Sequence, residues 1–190
     1  MTAVRGETRA RLLDTALGLF TVHGVEGTSL QMIADALGVT KAAVYYHFRT
    51  KDEITEAVVE PALDELVAIL DRAATMPRPG PRADYLIGEF VDLVVRNRVL
   101  VAVLCSDPGV NRAVDRILHG EQNVMTRLPA MLAGPDADEG TEVAAHVALA
   151  GVAMAGGSPA LTGMDDETLR RHLVDAMRRQ LGRPRRRDTP

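Results

Sequence analysis

A single cysteine, Cys105, stands in 190 residues, so no internal disulfide can form and a reducing, cytoplasmic setting is expected. Tryptophan is absent, and tyrosine and phenylalanine number three each, which leaves little from which to build an aromatic cage around a bulky cation. No uninterrupted apolar run is long enough to cross a bilayer, so no membrane partner is expected. The N-terminus, with Arg5, Glu7, Arg9 and Arg11, lacks the apolar stretch of a secretion signal. No His-Glu-x-x-His helix, phosphate loop or nucleophile elbow occurs, and the acids show no conspicuous pairing. The histidines and Cys105 do not cluster as metal ligands. These absences point away from an enzyme and from any metal or cofactor. Alternating apolar and polar stretches are also missing, which excludes a sheet protein.

What is present is helical periodicity and a lopsided charge. The chain is 46% hydrophobic, enough for a buried core. Its net charge of −4 hides an asymmetry. Residues 1–51 hold Arg5, Arg9, Arg11, Lys41, Arg49 and Lys51 against Glu7, Asp14, Glu26 and Asp35, a net of +2 that leaves −6 for the rest. Both lysines of the chain fall in this first segment. A mildly basic head on an acidic body suits nucleic-acid contact at one end.

Leu12, Leu13, Ala16, Leu17 and Phe20 make the stripe of a first helix, which Gly24 stops. Thr28 to Gln31 reads as a capping box opening a short helix to Leu37, and Gly38 breaks it. A third short helix spans Thr40 to Phe48, and Thr50 to Glu53 caps a longer one through Ile54, Val58, Leu63, Leu66, Val67 and Leu70. Pro61 lies inside that pattern and either kinks it or starts a new helix. Pro77 to Pro81 reads as a loop; helices follow over 82–96, 100–105, 110–132, 142–155 and 165–181. The expectation is an all-α chain of about nine helices: a three-helix head over 5–51, a larger helical body over 52–182, and a disordered basic tail over 183–190. The Arg183 to Arg187 run in that tail is expected to be solvated rather than a DNA contact.

Residues 29–48 carry the sharpest signal. Ala34, Gly38 and Val44, bracketed by Ile33, Leu37 and Phe48, have the spacing of a helix-turn-helix. The first helix must cross the second closely, which calls for a small residue, and the turn needs the positive φ that glycine adopts freely. Val44 and Phe48, one turn apart, pin the second helix to the core and leave Ala42, Tyr45, Tyr46 and Arg49 on the outer face.

The string from Thr28 to Lys51, above all Val44-Tyr45-Tyr46-His47-Phe48 followed by Thr50-Lys51-Asp52-Glu53, resembles the DNA-binding signature of the TetR family of transcriptional regulators. The leading helix through Phe20 and Gly24-Val25-Glu26-Gly27-Thr28 matches too, so the resemblance covers about residues 9–56. It implies that Thr40, Lys41, Ala42, Tyr45 and Tyr46 approach a major groove and its phosphates. By the same resemblance His47 and Lys51 meet the backbone, with Ser29 and Gln31 helping from the preceding helix. Tyr45 can alternatively serve as a packing residue and His47 as a helix cap. Lys51 at the start of a capped helix makes a phosphate site. No Arg or Asn sits mid-helix to read guanine or adenine bidentately, so specificity is expected to lean on Lys41, Tyr46 and DNA shape.

Members of that family are typically homodimers that release double-stranded DNA when a small molecule enters the body, so the resemblance implies a repressor with a palindromic operator. Independently, the alanines and glycine of 142–155, with the apolar face of Leu169, Leu173, Val174, Met177 and Leu181, can form a four-helix dimer interface or an intrachain one. The ligand, expected to be small and largely apolar, would meet Leu66, Phe90, Val94, Leu104, Met125, Leu128 and Met154. Tyr85, Cys105, His119, Asn123 and His146 are the polar candidates. Filling such a pocket would tilt the fourth helix, with Pro61 at the bend, and respace two recognition helices. The rival readings are a helix-turn-helix scaffold used for protein contacts and, further off, an enzyme.

Overall fold

A computed structural model describes residues 2–117 and 124–183. Among the described residues there are ten α-helices, one 3-10 turn and no strand: α1 (Thr2–Gly27), α2 (Leu30–Leu37), α3 (Lys41–His47), α4 (Lys51–Ala74), α5 (Pro79–Arg96), α6 (Arg98–Ser106), α7 (Pro108–Ile117), α8 (Val124–Ala133), α9 (Glu139–Gly156) and α10 (Asp166–Gln180). The all-α expectation agrees, and none of these helices is long and apolar enough to cross a membrane. Helices α1 to α3 make the head. Helix α4 runs from head to body, where it packs on α5 and α7, while α10 lies against α5 and α9. One apolar cluster runs without a break from Leu12 and Phe20 through Ile54, Leu70 and Leu86 to Leu169 and Met177.

Several local expectations need correction. Gly24 does interrupt α1, at φ 70° and ψ 169°, but one more turn follows it to Gly27. The capping box from Thr28 to Gln31 does not form. Ser29 is the cap, accepting from the Met32 N–H at 3.2 Å; Thr28 Oγ1 instead donates to the Gly24 carbonyl, and Gln31 to Asp35. Pro61 lies within a continuous α4, so the two-helix alternative is excluded. Pro77 to Pro81 is not all loop: α5 starts at Pro79, because the first turn of a helix needs no N–H bonds and tolerates Pro79 and Pro81. The expected helix over 110–132 is described as α7 and α8, on either side of residues 118–123, which lie outside the described residues, as does the tail from 184 to 190.

The apolar face of α10 also goes elsewhere than to a partner. Leu169, Leu173 and Met177 are buried within this chain against α5 and α9, and Arg178 is buried with them, its guanidinium 2.9 Å from Asp84. Outward, α10 shows Arg171, His172, Ala176 and Arg179. Helix α9 keeps an exposed apolar stripe, Val143, Val147, Ala150, Gly151 and Met154, at helical spacing.

Candidate nucleic-acid interface and cavity

The head is a helix-turn-helix with its turn locked by backbone chemistry. Ala34 is fully buried where α2 crosses α3. Gly38 takes φ 68° and ψ 31°, the left-handed conformation a side chain would resist, and donates to the Asp35 carbonyl at 3.1 Å. Val39 N–H reaches the Ala34 carbonyl at 3.0 Å, so the end of α2 is satisfied. Thr40 then caps α3 through the Ala43 N–H at 3.2 Å. Val44 and Phe48 are buried beneath α3. Thr50 caps α4 at 3.1 Å from the Glu53 N–H, and the Glu53 carboxylate accepts from the Arg49 N–H at 2.8 Å.

This frame holds one face of α3 open to solvent. Lys41, Ala42, Tyr45, Tyr46 and Arg49 are all exposed there, Tyr46 at 65%. Lys41 Nζ stands 5.6 Å from the Tyr45 ring centre, a cation–π contact that holds both against the helix. Ser29, Gln31 and Thr40 are exposed as well. A capping hydroxyl that accepts from backbone keeps its own proton to donate, so Ser29 and Thr40 can still reach phosphate oxygens. His47 is half-buried and lines a small cleft between α1 and α3 with Thr8 and Arg11, its ring edge-on to Tyr46 at 5.3 Å. Lys51, placed by sequence at a phosphate site, is folded back onto the end of α1.

Head and body meet at an elbow between α6 and α7 that sequence reading missed. The Asp107 carboxylate accepts from the Val25 N–H of the head and from the Gly109 N–H of the body, both at 2.6 Å. Gly24 and Gly109 let the backbones come this close, since a Cβ at either would stand 2.9 Å from an Asp107 oxygen. Beside it, Arg116 of α7 bonds Glu56 at 2.5 Å and approaches Asp52 at 3.5 Å, both on α4. Asp107→Asn replaces one accepting oxygen by a donor facing an N–H. It should cost about 1–3 kcal/mol of stability and speed hydrogen exchange at Val25 or Gly109. Unchanged exchange at both amides would contradict the bridge.

Behind the elbow lies a cavity of about 380 Å³ walled by α4, α5, α6, α8 and α9, with Val114 of α7 also lining it. Of the residues chosen from sequence, Leu66, Phe90, Val94 and Leu104 line its apolar interior, and Cys105, Met125, Leu128 and His146 line it as well. Two do not. Tyr85 turns away beside Arg72, 5.8 Å from its guanidinium, where burial and then Glu89 push its hydroxyl pKa up against the pull of Arg72. It lies 140° around α5 from Phe90 at 100° per residue, so the two cannot share a wall. Met154 is 59% exposed on the outer stripe of α9. Asn123 and His119 lie outside the described residues.

Among the described lining residues none carries a fixed charge, and Asn97, Cys105 and His146 are the polar ones. Asn97, not foreseen, spends its amide N–H on the Leu93 carbonyl at 2.8 Å and keeps its oxygen. His146 Nδ1 lies 2.9 Å from the Glu142 carbonyl, which can only accept, so Nδ1 donates there and Nε2 is left to face a ligand. Burial pushes the Cys105 thiol up from its usual range, so it is protonated at neutral pH.

Residues 12–58 match the model of the bacterial regulatory proteins, tetR family. The chain is 48% identical over 54 residues to the HTH-type transcriptional regulator AcrR of Shigella flexneri, covering 28% of this chain and 25% of that protein. The match thus spans about a quarter of that relative's length. Across the whole chain the fold is shared with solved regulators. A TetR/AcrR-family regulator from Thermobifida fusca superimposes with a TM-score of 0.58 at 26% identity, covering 95% of this chain and all 100% of that one. A TetR-family regulator from Streptomyces coelicolor A3 does so with 0.69 at 23% identity, covering 92% and 91%. The head thus matches the tetR family of bacterial regulatory proteins, and it is carried on a whole-chain fold shared with solved TetR-family regulators.

Proposed function

We propose that this protein is a transcriptional repressor that binds a palindromic operator as a homodimer and leaves it when a small, uncharged, largely apolar molecule fills the body cavity. The observation that carries the reading is the outer face of α3, where Lys41, Tyr45, Tyr46 and Arg49 stand exposed on a rigidly capped helix-turn-helix. A helix presented in this way fits a major groove, and the lysine and arginine supply phosphate attraction.

One head offers too few contacts for a specific site, so two are needed. The stripe on α9 from Val143 to Met154 supports a two-fold contact, with Ala150 and Gly151 allowing close approach and the charged outer face of α10 at its rim. The cavity supports the ligand. An uncompensated charge would be costly there, whereas a hydroxyl or amide can meet Asn97 Oδ1 or His146 Nε2. 1-Octanol should therefore raise the melting temperature, and octanoate of the same length should not. The reverse order would contradict the ligand class.

Selection of bound sequences from a random duplex pool tests the reading as a whole. Recovery of a short palindrome whose binding weakens steeply with salt supports it. No enrichment from an intact, folded protein overturns it.

A further inference from the structure

Glu26, in the last turn of α1, stands between two cations from distant parts of the chain. On one side Lys51 Nζ donates to the Glu26 carbonyl at 3.1 Å and to its Oε2 at 3.4 Å. On the other, Arg112 of α7 bonds Oε1. Glu26 and Arg112 are well exposed, at 73% and 57% of their side chains, while Lys51 is drawn in to 23%. Lys51 is also the first residue of α4, whose free N–H groups and dipole favour an anion at that spot. A carboxylate and a phosphate therefore seek the same ammonium from the same side, and the two anions repel each other.

We propose that Glu26 competes with operator phosphate for Lys51 and so holds operator affinity below what the head can reach, with Arg112 tempering the competition by occupying the other carboxylate oxygen. Arg112 comes from the helix whose Val114 lines the cavity, so withdrawal of α7 hands Glu26 wholly to Lys51. Cavity and phosphate contact are then joined through a single exposed acid. This inference rests on the DNA-binding reading above.

The test uses the full chain and the duplex recovered by selection with the wild type. Glu26→Gln removes the charge and keeps the shape. It should tighten operator binding by about twofold to thirtyfold per dimer, the range expected for two exposed ion pairs, and steepen the salt dependence by up to about two released counterions. Lys51→Met should abolish that gain, costing more in the Glu26→Gln background than in the wild type. Arg112→Ala should weaken the wild type and leave Glu26→Gln unaffected. Glu26 and Arg112 are at the surface and Lys51 is partly buried, and unchanged unfolding curves serve as the folding control. Unchanged or weaker binding by Glu26→Gln, or an equal cost of Lys51→Met in both backgrounds, overturns the competition. An equal cost of Arg112→Ala in both overturns the Arg112 arm. A wild type that enriches no duplex overturns the DNA-binding reading and this inference with it. A wild type that binds while Glu26→Gln fails to tighten overturns this inference alone.

Discussion

Tyr46→Ala is expected to weaken operator binding by at least about thirtyfold while leaving the unfolding curve of the protein in place. Tyr46 is 65% exposed on the outer face of α3, whereas Val44 and Phe48 beneath it are buried. Removing a side chain at such a surface position moves stability by only about 0.5 kcal/mol. On DNA the same ring and hydroxyl meet a groove edge or a phosphate, and a good contact of this kind discriminates by about 1–3 kcal/mol. A dimer carries the change twice, so the loss is about 2–6 kcal/mol and no less than about thirtyfold. Val44→Ala supplies the contrast. It opens a cavity under α3 and should lower stability and binding together. Operator affinity within twofold of the wild type for Tyr46→Ala would mean that α3 does not face the groove.

The largest stability effect falls far from the head, at Gly157→Ala. Gly157 ends α9 at φ −85° and ψ 1°, which alanine adopts without strain, so backbone preference is not at issue. The neighbour is. An added Cβ would stand 2.7 Å from the Ala102 nitrogen and 2.8 Å from its Cα, both backbone atoms of α6. A rotamer change cannot relieve a clash with backbone, so α6 must move as a unit, and overpacking of this kind costs about 1–3 kcal/mol, occasionally more. For a chain of this size that is a fall of about 2–12 °C in melting temperature. A change within about 1 °C would show that α6 and α9 pack more loosely than described. Gly157 also abuts Val101, a wall of the cavity, so the variant should lose the octanol response as well.

What was legible in the sequence was short in range. Gly38, Ala34 and Val44 lie within a few residues of one another, and each is dictated by local geometry: a left-handed turn, a close crossing, a buried face. The Thr28 box failed for an equally local reason. Two hydroxyls stand side by side, and Ser29 won the cap because Thr28 bonds back to Gly24. The sequence left the α10 face open to a partner or to this chain because Leu169, Leu173 and Met177 are apolar at helical spacing, which signals burial without naming the surface that buries them. Tyr85 and Met154 were lost to helical phase in the same way. The contacts at the elbow were beyond reach. Asp107 meets Val25 across 82 residues and Arg112 meets Glu26 across 86, and no spacing rule links such positions.

The measurement that bears most directly on the account is sedimentation of the full chain with a duplex selected from random sequence, at two salt concentrations. Two chains should bind one palindrome, with affinity falling steeply as salt rises and with Tyr46→Ala removing the complex at the same protein concentration. A single chain per duplex, or binding indifferent to the sequence offered, would contradict a dimeric reader built on α3.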